Sequence, residues 1–334
     1  MNTKTEVLRI LKNNDDFVSG EEMSRLIGLS RAAVNTAVKA LRADGFEISS
    51  STNRGYRLMA MSDRLTEEGI GAYMDRDRME NIVVLKSVDS TNMELLRRIS
   101  RGALNGQVVI SDAQTSGMGR KGRPFASPEG SGLYLSYLFK PSDKVKEEVR
   151  GSGDGLIWAS ITSWTAVAAA DAIEKVSGVR PGIKWVNDLY MNGRKISGIL
   201  TQMNTSAEIM EVESIIIGIG INVSEGRGDF PAEIQDKAGS IFTETLKKVN
   251  RAELAACLIA ALDRMSSGWP YDKELYYERY LADSIVIGRD ITVIGPCGSE
   301  RLKARSIDRD FTLIAEDENG NSRKIVGGDV SLLI

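Results

Sequence analysis

The sequence predicts a multidomain α+β protein: a helical N-terminal unit closed by a hairpin, a central mixed sheet backed by helices, and a small C-terminal β unit. Three observations predict it. Three amphipathic helix patterns with cap residues and two short β segments fill residues 1–60. Residues 65–270 then mix strand-like and helical stretches without strict alternation, and from residue 284 short strands and turns recur.

The N-terminal elements follow from local chemistry. Val7, Leu8, Ile10 and Leu11 give a first apolar stripe. Ser19, three residues before Glu22, reads as a capping box for a helix over 20–27 that ends at Gly28-Leu29. Ser30 caps a third helix, RAAVNTAVKALRADG, with Val34, Val38 and Leu41 inward and Gly45 as its stop. Segments 46–49 and 55–58, joined by SSTNRG, close the unit as a winged helix-turn-helix. Ser30, Arg31, Asn35, Thr36 and Lys39 lie on the outward face of the third helix, where a major-groove helix presents its side chains, so residues 20–39 are the expected DNA-reading segment. Arg54 and Arg57 on the wing are placed for phosphates. Nine Lys/Arg against seven Asp/Glu make residues 1–60 only +2, and a protein-contacting face is the alternative.

After a polar joint at 61–64, strands are expected at 82–85, 107–110, 133–139, 183–185 and 215–221, and helices at 157–175 and 251–265. GSGDG (151–155) reads as a flexible insert. The segments IVIG, ITVIG, LKARSID, FTLIAED, SRKIVGG and VSLLI suit an SH3-like barrel of about fifty residues. The expected domains are 1–62, 63–283 and 284–334.

Composition narrows the chemistry. The chain of 334 residues has no histidine, which excludes Ser-His-Asp hydrolases, Cys-His proteases and His-ligated metals. Two cysteines, Cys257 and Cys297, build no disulfide framework, and the start shows no signal-peptide pattern, so a reducing cytoplasm is the expected home. With a net charge of −3, any nucleic-acid binding must be local.

Four motifs carry the expected site. Gly117-Met-Gly-Arg-Lys-Gly122-Arg123 matches G-x-G-x-x-G, but the chain continues RPFASP into a strand rather than a helix, so the dinucleotide reading fails on context. A glycine-rich loop with Arg120, Lys121 and Arg123 remains, suited to wrapping an anion and mobile until one binds; a solvated basic turn is the alternative. Lys184-Trp-Val-Asn-Asp188 precedes Lys195-Ile-Ser-Gly-Ile-Leu200. Lys195, at the start of a strand, can neutralise a carboxylate or phosphate, and Asp188 is a hard oxygen ligand suited to Mg²⁺. In IIIGIGIN (215–222) alternate glycines bare one face of a strand, so either a flat ligand or another element approaches closely. Asn222 ends that strand with an amide. Ser87-Val-Asp-Ser-Thr-Asn92 reads as a helix cap compatible with a polar ligand head.

Taken in order, SGEEMSRLIGLSRAAVNTAVKALRADG, DSTN, QTSGMGRKGR, KWVNDL, RKISGIL, GIGINV and GGDVSLL resemble the biotin–protein ligase family, in particular its bifunctional members that biotinylate acetyl-CoA carboxylase and repress biotin genes. The resemblance implies a class II synthetase-like central domain that takes biotin and ATP with Mg²⁺. It implies a biotin carboxyl carrier protein and operator DNA as partners, and a homodimer formed on ligand binding. Ser90, Thr91, Asn92 and Gln114 would hold biotin. Met118, Gly119 and Arg120 would close over biotin and its adenylate, and Lys195 would bind carboxylate or phosphate. Gly218 and Gly220 would make room for the ligand. Lys184, Arg123, Asp188 and Asn222 would handle ATP and Mg²⁺, with Phe125 against adenine. Lys195, Arg120 and Lys184 would be catalytic. The chain departs from the family pattern at Met118, where the loop usually carries Arg, at Val186 in place of Pro, and at Phe125 in place of Trp; the first bears on adenylate retention. Two rival readings are a lipoate-attaching enzyme on the same core and a ligand-responsive regulator that has lost catalysis.

Overall fold

A computed structural model describes residues 2–152, 157–206, 211–295, 298–327 and 329–332. Cys297 and residues 153–155 of the GSGDG segment lie outside the described residues, as do Gly328, Leu333 and Ile334 of the terminal motifs.

The N-terminal unit has helices α1 (Thr3–Lys12), α2 (Gly20–Ile27) and α3 (Arg31–Ala43) and hairpin strands β1 (Glu47–Ser51) and β2 (Gly55–Ala60). The expected cap residues are in place, although the Ser19/Glu22 capping box is only half formed, with no bond from the Ser19 amide to the Glu22 side chain. Ser19 accepts from the Glu22 amide, Ser30 from that of Ala33, and Gly28 closes α2 in the left-handed region at φ 69°. Gly55 is required at the hairpin. Its φ is +104°, and a Cβ there would lie 2.1 Å from the Val18 carbonyl, which pairs with Tyr56. Val7, Leu8, Leu11, Met23, Val34, Val38 and Leu41 form the core of this unit.

The central domain contains α4 (Glu67–Gly71), α5 (Arg76–Met79), β3 (Ile82–Leu85), α6 (Thr91–Ile99), β4 (Val108–Ser111), β5 (Gly132–Phe139) and α7 (Asp143–Ser152). It continues through α8 (Ser160–Ser177), β6 (Gly182–Lys184), β7 (Asp188–Met191), β8 (Arg194–Thr205), β9 (Val212–Asn222), α9 (Ile241–Thr245), α10 (Arg251–Gly268) and α11 (Lys273–Asp283). Its seven strands run in the order β3-β4-β5-β9-β8-β7-β6, antiparallel except for β3 and β4. The helix expected from residue 157 begins at Ser160, after a single 3-10 turn. Gly151 and Ser152 end helix α7 rather than opening an insert.

The C-terminal unit is a five-stranded antiparallel sheet, ordered β13-β12-β11-β10-β14, made from β10 (Asp290–Gly295), β11 (Gly298–Ile307), β12 (Leu313–Glu316), β13 (Ser322–Ile325) and β14 (Asp329–Leu332). Closure of this sheet into a barrel is not among its described pairings. IVIG (285–288) is not a strand. One bridge, Ser284 to Ile183, touches the edge of the central sheet, and the chain then turns at Gly288 with φ +80°. This unit packs directly on the KWVND turn, where the Trp185 indole donates to the Phe311 carbonyl at 2.8 Å; from α11 of the central domain the Tyr280 hydroxyl donates to the Val186 carbonyl at 3.2 Å. At the other end Arg251, almost fully buried, ties the 61–64 joint to the sheet through Asp63, Asp112 and the Gly132 carbonyl. No helix among the described residues is long and apolar enough to cross a membrane.

Candidate active site

Strand register builds the site. Side chains alternate along β9, so Ile215, Ile217, Ile219 and Ile221 enter the core shared with α8 and α10. Ile216, Gly218, Gly220 and Asn222 face the opposite side, where Ile216 meets Leu95 of α6. Across the ladder, Ser136 and Leu200 flank Gly218, and Tyr134 and Gly198 flank Gly220. The bared face is filled at once by the protein itself. A Cβ on Gly218 would lie 2.3 Å from Asn92 Oδ1, and one on Gly220 would lie 2.4 Å from the Phe125 ring. Of the two readings of those glycines, close packing is realised, while both still line the cavity above.

That cavity brings together Ser90, Thr91, Asn92, Gln114, Met118, Gly119, Arg120, Arg123, Phe125, Asp188, Lys195, Gly218 and Gly220. One end is neutral and internally hydrogen-bonded. Ser90 stands at the cap position of α6 but makes no side-chain capping bond. Gln114 takes that task, its Oε1 accepting from the Thr91 amide at 2.9 Å and the Thr91 hydroxyl at 3.1 Å, while its Nε2 donates to Ser127. Ser136, fully buried, donates to Asn92 Oδ1 at 2.5 Å, and Asn92 donates to Gln202 at 2.7 Å. Sequence reading missed Ser136, Gln202 and Ser127. A lone serine inside the run LYLSYLF was the available signal for Ser136.

The other end is cationic. The glycine-rich loop folds on itself: the Gly119 amide donates to the Arg123 carbonyl at 2.7 Å, the Phe125 amide to that of Gly117 at 2.9 Å, and Met118 bridges Pro124. A left-handed turn at Lys121 and Gly122 lets the loop reverse, and Arg120 donates to Asn187 Oδ1 at 2.8 Å. Lys195 pairs with Asp188 at 2.6 Å. Register explains the pairing, because Asp188 opens β7 opposite Gly198, and a glycine there leaves room for the Lys195 ammonium.

A second cavity adjoins the first and shares Arg123, Phe125, Asp188 and Lys195 with it. Its further walls are Lys184, Tyr190, Asn222, Phe230, Ile234 and Lys237. Lys184 reaches the Tyr190 hydroxyl at 3.4 Å, and burial, with Asp188 nearby, pushes that phenol up to about 12, so it stays protonated at neutral pH. Asn222 donates to the Gly239 carbonyl at 2.9 Å, which turns its amide oxygen away from that bond. Apart from Lys121, which lines neither, the central-domain site residues expected from sequence thus line one of two adjoining cavities, with Phe125 held between them edge-on to Tyr134.

The N-terminal unit presents a separate surface. Ser30, Arg31, Asn35, Thr36 and Lys39 are all exposed on α3. A polar hollow runs from Arg31 and Asn35 to the hairpin at 50–53. Arg54 is engaged across to the connection between α1 and α2, donating to Asp16 at 2.7 Å and lying over Phe17.

Comparison with known proteins decides the family. Residues 84–222 match the biotin/lipoate A/B protein ligase family, and residues 3–57 match a helix-turn-helix domain. The chain is 31% identical over 324 residues to the bifunctional ligase/repressor BirA of Bacillus subtilis, covering 95% of this chain and 94% of that protein. This chain belongs to the biotin–protein ligase family. Another member, the bifunctional ligase/repressor BirA of Escherichia coli, is 29% identical over 99% of this chain and 98% of its own length. Among solved structures, the biotin protein ligase of Aquifex aeolicus in complex with biotin and ATP superposes with a TM-score of 0.62 at 25% identity, covering 76% of this chain and 99% of that one. The first cavity is lined wholly by the segment matched by the family model, the second also by Phe230, Ile234 and Lys237 beyond it, and the exposed α3 face lies in the helix-turn-helix match.

Proposed function

We propose that this chain joins biotin to ATP to form biotinyl-5′-AMP, transfers biotin to a lysine of an acceptor protein, and binds DNA as a repressor. Relatives that align over nearly its whole length carry both names, bifunctional ligase and repressor. The carrying observation is the pairing of the two cavities. A hydrogen-bonding neutral pocket opens at its cationic end, past Phe125 and Lys195, into a second pocket with further cations. Biotin has that shape of chemistry, with a polar ureido head and an anionic tail that must meet a nucleotide.

In the first step a biotin carboxylate oxygen attacks the α-phosphorus of ATP, and the bond to pyrophosphate breaks. Both reactants are anions, so positioning and charge neutralisation supply most of the catalysis. Lys195 and Arg120 sit where the carboxylate tail enters, and Lys184 and Arg123 line the nucleotide side. Asn92, braced by Ser136 and Gln202, and Gln114, braced by Ser127, orient the neutral head. Phe125 takes the adenine. In the second step the acceptor amine attacks the acyl carbon and AMP leaves. Asp188 and the Asn222 amide oxygen, which line the same cavity, would hold a Mg²⁺ ion. When bound, Mg²⁺ neutralises phosphate charge. The acceptor is a biotin carboxyl carrier domain. Ligand-driven homodimerisation sets two α3 helices on a palindromic operator.

Biotin-dependent exchange of labelled pyrophosphate into ATP tests the enzyme. Exchange with biotin and none with lipoate is expected; no exchange from folded, Mg²⁺-supplied protein would leave only the DNA-binding reading. For that second half, Lys39→Ala is expected to weaken operator binding and lower the salt slope by about 1. An unchanged slope in gel shifts would remove α3 from the interface.

A further inference from the structure

We propose that the Tyr190 hydroxyl is a further binding group of the second cavity, a neutral donor to the pyrophosphate portion of ATP that Lys184 turns toward the ligand. The assignment to pyrophosphate rests on the ligase reading. Strand register builds this corner. Leu189 and Met191 of β7 are buried in the core, so Asp188 and Tyr190 share its other face. Across the ladders Lys184 pairs with Asp188, and Lys195 with Tyr190. Two ammoniums, a carboxylate and a phenol therefore meet on one patch of sheet. Tyr190 is half-buried, stands on a strand rather than on a loop, and of the two cavities lines the second alone.

Lys184 sets the direction of the phenol proton. Its ammonium lies 3.4 Å from the phenol oxygen and 5.3 Å from the ring centroid, so that oxygen accepts and its own proton points elsewhere. No other described residue accepts that proton. Asp188, the carboxylate on the same face, is already held by Lys195 at 2.6 Å and by the Asn187 amide at 3.1 Å. A hydroxyl that accepts from a cation is the stronger donor. Its neutrality matters as well. Lys184 and Lys195 both line this cavity, and a further cation between them would add repulsion, whereas an O–H adds a directed bond and no charge. Lys195 and Phe125 line both cavities, but Lys184 and Tyr190 line only the second. They stand beyond the junction where the biotin carboxylate meets the α-phosphorus, on the side that the leaving pyrophosphate occupies.

Pyrophosphate exchange reads the assignment, because it yields a separate KM for each reactant. Tyr190→Phe keeps the ring and loses only the hydroxyl. It is expected to raise the KM for ATP and for pyrophosphate about ten-fold, the worth of one hydrogen bond to a charged group. The KM for biotin, and the affinity for added biotinyl-5′-AMP, which carries no pyrophosphate, should change less than about two-fold. In a Lys184→Met background the same substitution should also cost less than about two-fold, since nothing then directs the hydroxyl. A wild-type KM for pyrophosphate in Tyr190→Phe overturns the proposal. So does a loss of biotinyl-AMP affinity as large as the loss for ATP, or a full ten-fold cost in the absence of Lys184. Wild-type protein that binds ATP in calorimetry but exchanges nothing would refute the ligase reading. The ATP affinity of Tyr190→Phe then judges the hydroxyl, and an unchanged affinity sinks it; wild-type protein that binds no ATP sinks both.

Discussion

The two ends of the main cavity are built on opposite rules. Around Asn92, Thr91 and Gln114, neutral donors and acceptors satisfy one another, ending on buried Ser136 and on Ser127. Around Lys195 and Arg120, cations are held against Asp188 and Asn187. A neutral network distinguishes one hydrogen-bond pattern from another, because a wrong head leaves buried groups unpaired. It exerts little pull on an anion. The cations pull on any carboxylate or phosphate and discriminate poorly between them. On the proposed reading selection and activation fall to different side chains, and substitutions at the two ends should separate in the kinetics.

The largest effect belongs to the charged end. Lys195→Ala removes an ammonium and leaves Asp188 facing the incoming anions, so kcat for exchange is expected to fall by about 10²–10³, with biotin affinity changed far less. A variant whose only defect is a raised KM for biotin would collapse the division of labour. Next comes Gly218→Ala, at the neutral end. Its Cβ would stand 2.3 Å from Asn92 Oδ1, forcing Asn92 off Ser136 and Gln202. Titration calorimetry should show biotin binding weakened about 10-fold or more, an overpacking cost of roughly 1–3 kcal/mol. Ser136→Ala is milder: it strands the Asn92 oxygen without a donor and should raise the KM for biotin about 5-fold at nearly constant kcat. A drop in kcat with unchanged KM would assign Ser136 to the wrong end.

This contrast also explains what the sequence made legible. The cationic residues announced themselves as charges clustered in glycine-rich or strand-edge motifs, and Arg120, Arg123, Lys184 and Lys195, though not Lys121, lie on a cavity wall. The N-terminal unit was readable for a related reason, since Ser19, Ser30 and Gly28 act within four residues of themselves. The neutral end was half hidden. Ser136 faces Asn92 across 44 positions of sequence and Gln202 faces it across 110, and only strand register brings them together. Gln114 capping α6 in place of Ser90 is likewise a contact between distant segments. The strand expected at 285–288 failed for the same reason in reverse: an apolar run of four was read locally, but the fold offers it a single bridge and a turn.

The smallest expected effect lies behind both ends and serves as their control. Glu225 is 1% exposed, and neither of its carboxylate oxygens has a hydrogen-bond partner among the described residues. Burial pushes its carboxyl upward, against the pull of Arg251. A carboxyl raised in the folded state binds protons more tightly there than in the unfolded chain. Its contribution to stability is therefore complete below the ordinary value of 4.5 and is lost as pH rises through the folded value. Glu225→Gln cannot ionise, so it is expected to be the more stable protein near pH 7, by roughly 1 kcal/mol, and to lose that advantage toward pH 4. Parallel melting curves of the two proteins across that range would show that the carboxyl stays ionised and paired in the fold. Glu225 lies beside Tyr134, whose ring meets Phe125 edge-on, and Phe125 lines both cavities. If the ends act through their own first contacts, Glu225→Gln should leave kcat and the KM for biotin where they were. A change in either would mean that the wall behind Phe125 tunes the site, and that selection and activation share a support.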